Sequence, residues 1–212
     1  MFGDLETRVS LFGDRRSGRP YTFTMSPLGA GRNPVTGTNG TTLLAYIPDM
    51  SGTITGPAAG VAGAGWTVSS DTRVAFDTEA SALQVRDLVN RLGLPQGSIV
   101  DKAIRNNPDI FRLDMQLSQE IPTFWEDHKV KLTFDIANVL NLINARWGLV
   151  EEYPEAYRLF NVACATATGQ ANDLGAVACN RYRISGVNTT QDTLRNTELS
   201  RWAIQIGLKY EF

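Results

Sequence analysis

The end of the chain repeats with a period of two. Trp202, Ile204, Ile206, Leu208, Tyr210 and Phe212 alternate with Arg201, Ala203, Gln205, Gly207, Lys209 and Glu211. An extended backbone therefore carries the apolar side chains on one face and the others on the opposite face. The pattern fixes a strand, and its length narrows the choice of sheet. Residues 200–212 exceed the usual five or six of a soluble strand and suit a tilted membrane strand of about 9 to 11 residues plus its ends. A buried core face would give the same alternation and stays open on pattern alone.

The same period recurs upstream. Phe111, Leu113, Met115 and Leu117 alternate with Arg112, Asp114, Gln116 and Ser118, and Val130, Leu132, Phe134 and Ile136 alternate with Lys131, Thr133, Asp135 and Ala137. The segment around Pro122 and His128 turns between them, so the two read as an antiparallel hairpin. Near the start, Leu5, Thr7, Val9 and Leu11 form one column; 13–19 reads as a turn, and Tyr21, Phe23 and Met25 continue as a second hairpin. The expected strands lie near 5–13, 20–26, 109–120, 129–140 and 200–212. Two long intervals, 27–108 and 141–199, separate them and read as loops. The first holds one expected helix, with Asp77 as N-cap, Leu83, Leu88 and Leu92 near one face, and Gly93 and Pro95 closing it. A second short helix is expected from Ser98, with Asp101 at the capping-box position.

The fold class expected is all-β. Connections this long are uncommon in compact soluble domains but normal outside an outer-membrane barrel, whose opposite-end turns are short. The apolar columns support that choice. A lipid-facing Arg or Lys near the bilayer midplane costs about 2 to 4 kcal/mol, and the columns carry none. Trp202 near one end of the last strand, with Tyr210 and Phe212 at the other, fits two aromatic girdles. The opposite faces carry Arg112, Asp114, Lys131 and Asp135, expected to line the lumen in salt-bridged or plug-contacting roles. If both long intervals are external, the first strand runs down and the last also runs down, leaving the C-terminus periplasmic. Five strands cannot close a barrel of even strand number, so at least one further strand is expected before Met1.

Charge and composition close other routes. Lys and Arg number 20 against 22 Asp and Glu, a net charge of -2 that implies no nucleic-acid surface. No apolar run reaches the roughly 20 residues of a membrane helix, and the first residues offer no export signal. His128 is the sole histidine, and Cys164 and Cys179 lack metal-ligand spacing, so no metal, cofactor or catalytic residue is expected. The reading is not an enzyme. Asp71, Asp77 and Glu79 form a carboxylate group in sequence; with one of them taken as a helix cap, catalysis or Ca²⁺ binding is disfavoured. Tyr153, Tyr157, Arg158, Tyr182 and Arg183 suit either an outer contact surface or ordinary loop packing.

The ending Gln205-Ile-Gly207-Leu-Lys-Tyr210-Glu-Phe212 resembles the C-terminal β-signal of outer-membrane proteins, which implies recognition by the barrel insertion machinery. More of the chain is similar to the C-terminal barrel of TonB-dependent receptors, particularly the Oar-like branch with a carboxypeptidase-regulatory-like domain. The matching stretches are Arg16-Ser-Gly-Arg-Pro-Tyr21, Leu43-Leu-Ala-Tyr-Ile-Pro48, Phe111-Arg-Leu-Asp-Met-Gln-Leu-Ser118, Phe134-Asp-Ile-Ala-Asn-Val-Leu-Asn141, Trp147-Gly148 and Ser200-Arg-Trp202. No plug, TonB box or signal peptide is present in it.

The resemblance implies the closing fragment, 1–212, of a Gram-negative outer-membrane barrel. Its function in the complete protein would be binding of an unidentified extracellular substrate and its energy-coupled uptake. The implied partners are outer-membrane lipid, the insertion machinery and, through the plug region, the TonB complex. Trp202, Ile204, Ile206 and Leu208 would face lipid. Cys164 and Cys179 would face an oxidising exterior and are expected to form a disulfide worth about 3 kcal/mol. A passive porin or adhesin barrel, or a soluble β-rich binding module, is the alternative.

Overall fold

The computed structural model describes residues 5–27, 43–57, 59–60, 63–125, 128–165, 181–190 and 194–212. Half of these lie in strands and 14% in helices, so the protein is mostly β-sheet. The chain divides into two compact units. One combines Met1–Arg19, Asn106–Tyr153 and Thr193–Phe212; the other combines Pro20–Arg105 and Pro154–Asp192.

The first unit is built on a four-stranded antiparallel sheet in the order Thr7–Arg16, Ile110–Pro122, Lys129–Ala137, Ala203–Glu211. The expected pairing of segments 5–13 and 20–26 is corrected here. Thr7–Arg16 runs straight through the expected turn and pairs with the Ile110 strand along its whole length, from Thr7 opposite Gln119 to Arg16 opposite Ile110. Pro20–Pro27 is a strand of the other unit, so this sheet has four strands where five were expected. The hairpin around Pro122 and His128 forms as expected, with Pro122 opposite Lys129. Lys129–Ala137 ends earlier than expected because Asn138 takes a left-handed backbone, φ 53°, and starts the short helix Val139–Ile143. The last strand starts at Ala203 rather than 200, because Thr197–Ser200 is a helical turn capped by the Asn196 side chain. Among the described residues the sheet does not close, and its outer strands keep one unpaired edge each.

The second unit fills the intervals expected as loops. Its main sheet runs Leu43–Leu44, Pro20–Pro27, Ala156–Cys164, Tyr182–Ser185, Asp71–Phe76, Trp66–Val68, Ile54–Thr55. Two of the pairings are parallel, Pro20–Pro27 with Ala156–Cys164 and Asp71–Phe76 with Tyr182–Ser185. Phe23, Met25, Phe76, Leu159, Phe160 and Ile184 are fully buried. Each such side chain contributes about 1.5 to 3 kcal/mol by leaving water. Tyr21, Phe23 and Tyr157 pack edge to face at centroid separations of 5.4 to 6.3 Å.

The expected helix is present as Glu79–Leu92, with its cap shifted by one residue. Thr78, not Asp77, is the N-cap, and its hydroxyl accepts from Ser81 N at 3.0 Å. Asp77 instead accepts from Arg183 Nε at 2.6 Å. Ala82, Val85, Leu88 and Val89 form the buried face, whereas Leu83, expected on it, is exposed. Gly93, φ 58°, closes the helix as expected, donating to Asn90 O while Leu94 donates to Val89 O. The helix expected from Ser98 is a strand, Ser98–Ile99, paired with Tyr46–Ile47.

Candidate functional site: an uncovered apolar sheet face

The register of the four-stranded sheet aligns the four columns into rows. Val9, Leu117, Phe134 and Ile206 lie side by side, as do Leu11, Met115, Ile136 and Ile204. Toward the hairpin turn follow Thr7, Gln119, Leu132 and Leu208, then Ile121, Val130 and Tyr210. Because strand side chains alternate faces, these rows share one face. Within the described residues of this unit nothing covers the edge-strand side chains of this face. Val9, Leu11, Ile206 and Leu208 are 61%, 65%, 64% and 73% exposed. A contiguous apolar surface of this kind marks an interaction site. Charge is confined to its margin, where Arg15 pairs with Asp109 at 3.2 Å.

Aromatic side chains gather at both ends. Toward the turn, Tyr210 stacks on Phe212 at 6.0 Å, and His128 lies between Tyr210 and Trp125, bonded through Nδ1 to the Tyr210 hydroxyl. At the far end Phe111, Trp147 and Trp202 are about half exposed. Trp202 and Tyr210 are eight positions apart, roughly 27 Å of extended chain.

The opposite face is polar. Arg112 donates to Asp114 Oδ1 at 2.9 Å, and Gln116 donates to Asp135 Oδ1 at 2.6 Å. Lys131 lies between Glu120 and Lys209 in register. Near the turn, Lys129 pairs with Glu120 at 2.8 Å and with Glu211 at 3.7 Å, and Lys209 pairs with Glu211 at 2.8 Å. These contacts tie three strands together. Of the β-signal residues, Gln205 and Gly207 follow the polar parity and Tyr210 and Phe212 the apolar one. A Cβ on Gly207 would meet only Thr133 at an ordinary 3.7 Å, so packing within this sheet does not require glycine there.

The far end is sealed by Asn138, which sequence reading identified only as a motif residue. Its side chain is fully buried, and Nδ2 donates to Gly148 O at 2.9 Å and Ser200 O at 3.1 Å. Its backbone N–H donates to Asp114 Oδ1 at 2.7 Å. Gly148, φ 61°, is forced by this contact, since a Cβ there would lie 2.0 Å from Asn138 Oδ1. Ser200 continues the seal by accepting from Val150 N at 2.9 Å.

In the other unit, the Leu43-Leu-Ala-Tyr-Ile-Pro48 stretch supplies core, with Ala45, Tyr46 and Ile47 buried. The Tyr46 hydroxyl donates to Asp71 Oδ2 at 2.5 Å, Arg73 Nε donates to Asp71 Oδ1 at 3.0 Å, and the guanidinium lies 4.7 Å from the Tyr46 ring centre. Burial alone would raise the Asp71 pKa, but hydrogen bonds from Tyr46, Arg73 and the Asp49 backbone hold it below the usual carboxylate range. Burial, followed by the bond to Asp71, pushes the Tyr46 hydroxyl well up. A carboxylate this fully satisfied is a structural lock.

Glu79 lies in the first helical turn, and Tyr157 is buried, its hydroxyl donating to Thr190 O at 2.8 Å. Tyr182 packs beside Tyr46, and Arg183 is held by Asp77. Of the residues expected to form an outer contact surface, Arg158 is exposed, and Tyr153 falls in the first unit, its N–H donating to Asn107 Oδ1 at 2.5 Å. Cys164 is buried and disulfide-bonded; Cys179 lies outside the described residues. Among the described residues no group of His, Cys, Asp or Glu is placed to hold a metal ion. No family model matches the chain, and neither a curated protein nor a solved structure is significantly similar to it.

Proposed function

We propose that the four-stranded sheet is part of a transmembrane β-barrel, with its apolar face against lipid and its polar face toward the lumen. The observation that carries this reading is the aligned apolar face, continuous over four strands and exposed among the described residues at Val9, Leu11, Ile206 and Leu208. A single-layer sheet left like this in water would forgo the burial that holds sheets together. In a bilayer the same face is satisfied, and the unpaired edges of Thr7–Arg16 and Ala203–Glu211 would pair with further strands of the barrel.

Chain direction supports the same reading. The hairpin turn, the start of the Thr7 strand and the end of the Ala203 strand share one end of the sheet, and both long excursions leave from the other. Short turns on one side and long insertions on the other match the periplasmic and extracellular sides of such barrels. The Thr7 strand then runs outward, opposite to the sequence expectation, because it pairs with Ile110–Pro122 and not with the segment after it. Four strands form two complete up-and-down pairs, so the even count needs no odd strand. The C-terminus is periplasmic in this reading.

With the motif resemblance, the reading extends to a TonB-dependent receptor of the Oar-like branch that takes up an extracellular substrate by energy coupling when complete. The unit built from Pro20–Arg105 and Pro154–Asp192 would be extracellular, because its two segments are the excursions from the loop end. Plug and TonB contacts would belong to other parts of the protein.

Fractionation of cells producing the protein from its full reading frame tests the core of this. The expected product stays with outer membranes through a high-salt wash and migrates differently in detergent gels before and after boiling. Recovery in the soluble fraction alone would sink the reading. A frame encoding a plug separates the receptor from a passive porin or adhesin.

A further inference from the structure

Alternation puts Phe12 on the polar face of the four-stranded sheet, in one column with Arg8, Ser10, Asp14 and Arg16. It is 68% exposed and is the only exposed large apolar side chain at the polar positions of the four strands; Ile110, at their loop end, is buried. An open concavity of about 530 Å³ lies beside it, within the size range of small-molecule sites. Two adjacent rows of the polar face line it, Phe12, Asp114 and Ala137 in one and Ser10, Gln116 and Asp135 in the other. A second concavity, of about 160 Å³, adjoins it on the loop side and shares Phe12 and Asp114.

The polar groups around the ring are only partly spent. Asp114 Oδ1 accepts from Arg112 Nε and from the Asn138 N–H, and Asp135 Oδ1 accepts from Gln116 Nε2. Among the described residues, Asp114 Oδ2, Asp135 Oδ2, Gln116 Oε1 and the Ser10 hydroxyl have no partner. A ligand here meets an aromatic ring bordered by free acceptors and one hydroxyl. That combination suits a sugar: one face of a pyranose ring is a patch of C–H groups that packs on an aromatic ring, and its rim carries hydroxyls that donate to carboxylate and amide oxygens and accept from serine. A cation fits less well, because Arg112 already neutralises Asp114. We propose that the concavity beside Phe12 binds one ring of a neutral oligosaccharide, with Phe12 as the stacking platform and Ser10, Asp114, Gln116 and Asp135 as partners of its hydroxyls. The adjoining space takes the next sugar unit. The site rests on the uptake reading above for its place on a lumen wall, and gives that uptake a substrate class.

Saturation-transfer NMR of the full chain in polyoxyethylene-detergent micelles, which carry neither sugar nor cation, tests the site with maltotriose and with cellotriose. The expected result is transfer to the ring C–H protons of at least one of the two. Phe12→Ala should weaken that binding about fivefold to tenfold, and Phe12→Tyr should keep it. Ser10→Ala and Asp135→Ala should each weaken it about twofold to tenfold, whereas Phe111→Ala, on the opposite face, should leave it unchanged. Binding by Phe12→Ala equal to the parent's overturns the site, as does absence of transfer to both sugars. Transfer to choline with none to either sugar makes the site one for a cation and overturns the proposal too. Each of these failures leaves the membrane reading standing, since that reading is judged by fractionation. A circular-dichroism strand signal equal to the parent's ensures that each variant is folded when it is read.

Discussion

Phe23 and Val9 both sit in alternating strands of one chain, yet the first is 1% exposed and the second 61%. The unit around Phe23 has two layers, a mixed sheet and a helix, and hides its apolar side chains among themselves. The unit around Val9 has a single sheet layer and presents them outward. Hydrophobic alternation therefore reports that a face leaves water, not what it leaves water for. In one unit the answer is another part of the same chain; in the other, on the reading proposed here, it is lipid.

The largest test of that difference is Phe160→Ala. It should cost the second unit about 3 to 5 kcal/mol through the cavity left behind, seen as an early thermal transition, while membrane association persists. Loss of both properties together would mean the two units do not fold separately. Ile206→Arg should do the reverse. A charge in the middle of the apolar rows should cost about 2 to 4 kcal/mol of insertion and leave the second unit's melting unchanged, with Gln205→Arg on the polar face as the tolerated control. If both arginines behave alike in vesicle flotation, the two faces are not distinguished by lipid.

Gly148→Ala asks whether the loop-end seal belongs to the sheet unit alone. The strained φ and the collision with Asn138 should cost about 1 to 3 kcal/mol, read as faster proteolysis near Arg146. Asp71 gives the second unit a pH dependence of its own. Folding holds the Asp71 carboxyl below its ordinary value of 3.8, so its stabilisation is present above that pH and lost as pH falls through the folded value. Melting temperature should therefore fall in acid, and Asp71→Asn should flatten that fall. The smallest effect belongs to Gly207→Ala, expected within about 0.5 kcal/mol in the finished sheet. Any defect it shows should appear in the yield of inserted protein rather than in melting.

The sheet strands were legible because their information is local. Thirteen residues of alternation name both the strand and its two faces, and the hairpin at Pro122 pairs its nearest neighbours. Pro20–Pro27 has the same alternation, but alternation does not name a partner. Its true neighbour is Ala156–Cys164, in parallel, and parallel pairing needs a crossover that no local pattern displays. The same remoteness hid the second unit. Tyr46 meets Asp71, and Arg183 meets Asp77, across separations that composition and period do not encode. Asn138 was visible as a motif residue; that its amide would gather two distant carbonyls was not. Asp77 and Thr78 are both good capping residue types; in the fold Asp77 is engaged by Arg183, and Thr78 caps the helix.

The parallel pairing also orders events in time. Pro20–Pro27 cannot find Ala156–Cys164 until the intervening sheet strands have been synthesised, and Thr7–Arg16 waits for Ile110–Pro122. The two units are thus threaded through each other along the sequence, and the ribosome releases most of the chain before either is complete. Such non-local closure is slow and leaves strand edges open meanwhile. Until its last strand arrives, a chain of this topology is open to aggregation through those edges.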